Sequence, residues 1–221
     1  MTMASRPKQA TARPAPRLYL VTPPVADASA ISPQLASGLE AGDIAAVLLR
    51  FVEVDERTLI NCAKALATPV QGKGCALLLE SRPGLVARAG ADGAHLTGVQ
   101  AFTEAIDQLK PERIAGAGGL ATRHDAMLAA ERGADYVMFG EPDAAGKRPA
   151  LPAIVERMRW WAELFEVPCV GYASTLEEVA PLVAGGADFV ALGDFLWRDT
   201  LAIAATIDEA TRALRLPEPA A

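Results

Sequence analysis

Ala89-Gly90-Ala91-Asp92-Gly93-Ala94-His95-Leu96 is a phrase that this chain repeats. It recurs as Arg132-Gly133-Ala134-Asp135-Tyr136-Val137-Met138-Phe139-Gly140 and as Gly185-Gly186-Ala187-Asp188-Phe189-Val190-Ala191-Leu192-Gly193. A looser copy is Ala41-Gly42-Asp43-Ile44-Ala45-Ala46-Val47-Leu48-Leu49. Each copy follows a helix-like run, places Gly where a helix end needs positive φ, and then opens a short apolar strand. The aspartates at 43, 92, 135 and 188 stand roughly two βα units apart. Four copies of a two-unit period imply eight strands.

Working outward, short apolar runs at 17–22, 44–50, 75–79, 93–96, 113–115, 135–139, 168–170 and 189–192 read as strands. Helical runs lie between and after them, at 32–41, behind Asp55, and at 83–89, 102–109, 122–132, 151–164, 175–184 and 200–214. Ser32 reads as an N-cap with Pro33 at the first helical position. Behind Asp55, the apolar residues Leu59, Ile60, Ala63 and Leu66 keep the helical period. The strands are continuously apolar, as strands covered on both faces must be. Strict alternation leaves an open doubly wound sheet or a closed barrel, and eight units in about 200 residues favour a single-domain α/β (β/α)8 TIM barrel. No G-x-G-x-x-G opens a helix after the first strand.

The barrel is expected over 17–214, with a basic, Pro- and Ala-rich tail at 1–16 expected to be disordered and a loose tail at 215–221. The net charge is −6, and Arg6, Lys8, Arg13 and Arg17 have no acidic neighbours, so the remaining body is more acidic than the whole. That argues against a nucleic-acid partner. No apolar run reaches the roughly 18 residues of a membrane span, and residues 1–16 lack the apolar core of a secretory signal. Cys62, Cys75 and Cys169 match no zinc or redox spacing and read as buried thiols, so the expected location is cytoplasmic.

In a barrel, working residues lie at the carboxyl ends of the strands. There the sequence offers Arg50, Glu80-Ser81-Arg82, His95 with Thr97 to Gln100, Gly116 to Gly119, Gly140-Glu141, Gly171-Tyr172 and Gly193-Asp194. Gly171 and Gly193 follow strands seven and eight, where backbone N–H groups approach a phosphate, or else they simply make tight turns. Arg50 and Arg82 can present forked donors to an anion, or can pair with Glu53 or Glu80. Asp194 repels an oxyanion unless it is protonated or paired. His95 suits acid–base work or ligand contact, or is a histidine held by hydrogen bonds inside the barrel. Glu80, Glu141 and Asp194 are candidates for a new acidic site. His124 reads as inert, Trp161 as core, and Trp160 as a contact for a second copy in a homo-oligomer.

With these residues assembled, residues 17–197 resemble the thiamine phosphate synthase and TenI-type family. The resemblance is carried by Leu18-Tyr19-Leu20-Val21-Thr22, by the Ala89–Leu96 phrase, close to the family's A-G-A-D-G-V-H-L, and by the copies at 133–140 and 185–191. It implies a transferase of thiamine biosynthesis. Such an enzyme joins hydroxymethylpyrimidine diphosphate to a thiazole phosphate and releases pyrophosphate with magnesium. The implied partner is a small phosphorylated heterocycle. The family's Q-L-R-x-K reads Leu48-Leu49-Arg50-Phe51-Val52 here, and its N-D-R reads Glu80-Ser81-Arg82. Gln100 stands for an acidic magnesium ligand, Lys147 is the remnant of T-x-T-K, and the aromatase histidine falls at Leu120. Strand-end position and resemblance together make Arg50, Arg82, His95 and Lys147 the candidates for catalysis. They make Gly118, Gly171, Tyr172 and Gly193 the candidates for ligand or phosphate contact, with Glu80 a possible metal contact. A non-catalytic phosphate-binding barrel is the alternative.

Overall fold

The computed structural model describes residues 14–215. Apart from 14–16 and 215, the two expected tails lie outside the described residues. Eight parallel strands close into a barrel in sequential order. They are β1 (Arg17–Val21), β2 (Ile44–Leu49), β3 (Ala76–Glu80), β4 (Gly93–Thr97), β5 (Ile114–Gly118), β6 (Tyr136–Phe139), β7 (Cys169–Ala173) and β8 (Phe189–Leu192). The outer layer is α1 (Ser32–Ala41), α2 (Glu56–Gln71), α3 (Val86–Ala89), α4 (Val99–Ala105), α5 (Arg123–Glu131), α6 (Leu151–Leu164), α7 (Val179–Ala184) and α8 (Ile203–Ala213). No helix among the described residues is long and apolar enough to cross a membrane.

Because successive strand residues point to opposite faces, each strand serves two cores. On β1, Leu18 and Leu20 pack outward under the helices, while Tyr19 and Val21 enter the barrel with Ala46, Leu48, Leu78, Tyr136, Met138, Val170 and Tyr172. Trp161 is fully buried in the outer layer. Cys62, Cys75 and Cys169 are buried, and among the described residues none of them is in a disulfide. Burial pushes the Cys62 thiol to about 11 and the Cys75 thiol to about 12, so neither supplies a thiolate nucleophile near neutrality.

The repeated aspartate has a defined task. Asp92 N donates to Leu77 O at 2.9 Å while its Oδ2 accepts Leu77 N at 2.7 Å. Asp135 does the same with Ala115, at 2.9 and 2.7 Å, and Asp188 with Cys169, at 3.0 and 2.8 Å. Each clamp ties the entry of an even strand to the preceding odd one. In the loose copy Asp43 instead holds the Arg17 guanidinium, with its closest oxygen at 2.6 Å. The glycines divide in the same way. Gly90, Gly133 and Gly186 have φ of 69°, 97° and 92°, whereas Gly42 is extended at −155°.

Asp55 caps α2 through Thr58 N at 3.1 Å. Ser32 is not a cap: it is the first residue of α1, and its hydroxyl donates back to Ala28 O at 2.7 Å. Four strands run past their expected ends, β3 to Glu80, β4 to Thr97, β5 to Gly118 and β7 to Ala173. Their last residues still pair with staggered neighbours, as Gly118 does with Thr97 and Ala173 with Leu192. Glycine persists inside β5 because aromatic and ionisable side chains press against it from the barrel interior.

Candidate active site

Gly116 and Gly118 are two apart on β5, so both turn the same way. A Cβ on Gly116 would overlap the Tyr136 phenol, and one on Gly118 would overlap Glu141 Oε2 and His95 Nε2. The space they leave holds a chain of polar groups. His95 on β4 is fully buried, with Nδ1 2.9 Å from Tyr136 Oη and Nε2 2.9 Å from Glu141 Oε1. Tyr136 Oη is 3.0 Å from Tyr19 Oη. Glu141 Oε2 accepts the Gly119 N–H at 3.0 Å, and Gly119 reaches that geometry at φ 60°. Burial pushes the phenols of Tyr19 and Tyr136 above their ordinary range. The arrangement holds the Glu141 carboxyl group at the carboxyl-end mouth on a buried, hydrogen-bonded support.

The two expected arginines take different partners. Arg50, after β2, donates through Nε to Thr22 O at 2.5 Å and pairs with Asp194 after β8. Asp194 is thereby neutralised by a cation. Arg82 pairs with Glu53 at 2.8 Å on the rim. Glu80 ends β3, and burial raises its carboxyl above the ordinary range. Gly171 lies inside β7, and a Cβ there would meet Met158 and Leu182 of the outer layer. The Gly193 N–H donates to Ala173 O at 3.1 Å, and the glycine leaves room for the Tyr172 ring. Gly171 therefore sits in the ladder and the Gly193 N–H is engaged. Burial likewise raises the Tyr172 phenol.

A cleft of about 400 Å³ opens beside Glu141, bordered by Thr97, Leu120, Lys147, Arg148 and Arg157. Lys147 is exposed on the loop after β6, where its N–H donates to Asp143 Oδ1 at 2.9 Å. Arg148 is held by Glu178 at 2.8 Å, by Ser174, and by Tyr172 O at 3.0 Å. Arg157 on α6 donates to Leu120 O at 2.9 Å. Arg148 and Arg157 were not evident from sequence; the signal was slight, a second cation beside Lys147 and one charged residue midway along a long helix. Tyr136 and Tyr19 were read only as strand residues.

The resemblance implies magnesium. Among the described residues no three His, Cys, Asp or Glu side chains are grouped to hold a metal ion. Burial raises the Glu80 carboxyl, which disfavours the charge a hard cation needs. The donors among the described residues do not by themselves make a magnesium site.

Comparison with known proteins agrees with the architecture. The family model described as thiamine monophosphate synthase matches residues 18–195. The thiamine-phosphate synthase of Rhodospirillum centenum is 39% identical over 202 residues, covering 90% of this chain and 98% of that protein. That of Hyphomonas neptunium is 36% identical over 193 residues, covering 84% and 87%. Among solved structures, a thiamine phosphate pyrophosphorylase from Pyrococcus furiosus superposes with a TM-score of 0.73 at 19% identity, covering 90% and 95%. This barrel, with its clamp phrases and the histidine in the Asp92 copy, belongs to the thiamine monophosphate synthase family.

Proposed function

We infer that the protein acts in thiamine biosynthesis, joining hydroxymethylpyrimidine diphosphate to a thiazole phosphate with loss of pyrophosphate. The observation that carries this reading is the cleft at the carboxyl-end mouth, where Lys147, Arg148 and Arg157 border the same space as Glu141. Breaking the C–O bond to diphosphate leaves an anion, and cations placed where that charge develops lower the barrier. Lys147 and Arg157 would face the departing diphosphate. Arg148, held by Glu178, would shape that wall. Arg50 lies across the mouth, with Asp194 moderating its charge. Among the described residues no three acidic, histidine or cysteine side chains are grouped to hold a metal, so the charge on the diphosphate falls to these cations.

The test is incubation of the purified protein with both substrates, with and without magnesium, reading thiamine phosphate as thiochrome. Product above background is expected, and its absence in both conditions would end the synthase reading. A second reading, a non-catalytic phosphate-binding barrel, is favoured by one observation: Arg50 and Arg82 are both already paired with carboxylates. It expects pyrophosphate to raise the melting temperature with no turnover. Light scattering on the same preparation tests for the second copy that Trp160 would contact.

A further inference from the structure

The chain Tyr19–Tyr136–His95–Glu141 asks for more than packing. Three side-chain gaps of 2.9–3.0 Å join four polar groups in one line from the barrel interior to the cleft. Two glycines of β5 make room for it, and either one carrying a methyl group would break it. Every gap can be filled with one hydrogen in either direction. In one direction Tyr19 donates to Tyr136, Tyr136 to His95 Nδ1, and His95 Nε2–H to the Glu141 carboxylate. In the other, Glu141 carries the hydrogen toward Nε2, and Nδ1–H points back at Tyr136. His95 stays neutral in both.

We propose that Glu141 is the general acid of this cleft and that His95, Tyr136 and Tyr19 are positioning residues that deliver its proton. This rests on the synthase reading above and deepens it. When a diphosphate enters, the proton of Nε2 passes to Glu141, Nδ1 takes the Tyr136 proton, and Tyr136 takes that of Tyr19. Tyr19 is refilled from water in the cavity of about 300 Å³ that its ring and that of Tyr136 line at the amino-terminal mouth. The carboxyl then no longer repels the anion. As the C–O bond breaks, its electron pair stays on the diphosphate oxygen and Glu141 gives that oxygen a proton. The thiazole nitrogen lone pair forms the new C–N bond. One proton is consumed at the cleft and one enters at Tyr19.

The surroundings carry other charges that bear on this equilibrium. Glu80 on β3 is coupled to both His95 and Glu141, and to Arg50 and Arg82. Tyr172 on β7 feels Glu141, Arg50 and Asp194. Lys147 and Arg148 border the same cleft and favour an anionic visitor.

Two readouts test the proposal. The first needs no turnover: the ring nitrogens of His95 are followed by 15N NMR as pyrophosphate is added. A shift from the Nε2–H to the Nδ1–H tautomer is expected in the wild type and not in Glu141→Gln. A ring that keeps its tautomer at saturating pyrophosphate, or no binding at all, overturns the relay. The second is the pH profile of thiochrome formation. Glu141→Gln is expected to lower kcat by about 100-fold and to remove the alkaline fall in rate. Tyr136→Phe is expected to lower kcat and move that limb at unchanged KM. If Glu141→Gln keeps both its rate and the alkaline limb, the acid role is wrong. If wild type makes no product yet the tautomer shifts, the relay stands and the synthase reading fails.

Discussion

A single methyl group added at position 118 would occupy the space now shared by Glu141 Oε2 and His95 Nε2. Gly118 entered the sequence reading as a ligand-contacting residue, yet its measurable contribution here is room. Gly118→Ala must push one of the pair aside, and overpacking of this kind costs about 1–3 kcal/mol. We expect a lower midpoint in urea and displaced His95 ring signals, with far-UV circular dichroism unchanged. A variant with wild-type stability and unmoved His95 signals would show that β5 yields easily and that the close packing is incidental. The pairing of these residues was not legible in the sequence. His95 and Glu141 are 46 residues apart, and His95 and Tyr136 are 41 apart. Only the stagger of a closed barrel brings them into register.

At the scale of elements, the reading from sequence went further. Eight apolar runs, their order and most of the helices could be read, because a strand buried on both faces has no polar alternative and caps such as Asp55 announce themselves. Strand ends were read short at β5 and β7, where glycine stood for a turn and was instead accommodating a neighbour's side chain. The clamp phrase was legible as a repeat but not as a device. Its strength differs between copies. Asp92 is half-buried, and its Oδ2 accepts both Leu77 N and Gln71 Nε2, at 2.7 and 2.9 Å. Removing it by Asp92→Ala strands a backbone donor and should cost about 1–3 kcal/mol. Asp43→Ala breaks an exposed ion pair and should cost about 1 kcal/mol or less. Chemical denaturation of the two variants side by side checks the order, and equal losses would deny the clamp its role.

For the molecule as a whole, two phenols deep in the barrel tie stability to pH. Burial raises both Tyr19 and Tyr136 above the ordinary tyrosine value. The native state therefore favours the neutral form more than the unfolded chain does. Their contribution is fully present below about pH 10 and is lost as pH climbs beyond it. Urea unfolding at rising alkaline pH should show this loss, and Tyr19→Phe should lessen it; an identical slope in the variant would assign the loss to other groups. The four ties through Asp43, Asp92, Asp135 and Asp188 carry a different consequence. Their partners lie only 26, 15, 20 and 19 residues away, and no tie reaches from one strand pair to the next. The chain is thus punctuated into quarters, each able to close before the ring does. Ala15, Pro16, Leu214 and Arg215 border one surface cleft, so the two ends of the described chain lie close together. If the ends were joined and new ones opened after β2, every quarter would stay contiguous along the chain. Opening after β3 instead would turn the shortest tie into one of the longest, and refolding should slow as local closures become distant ones.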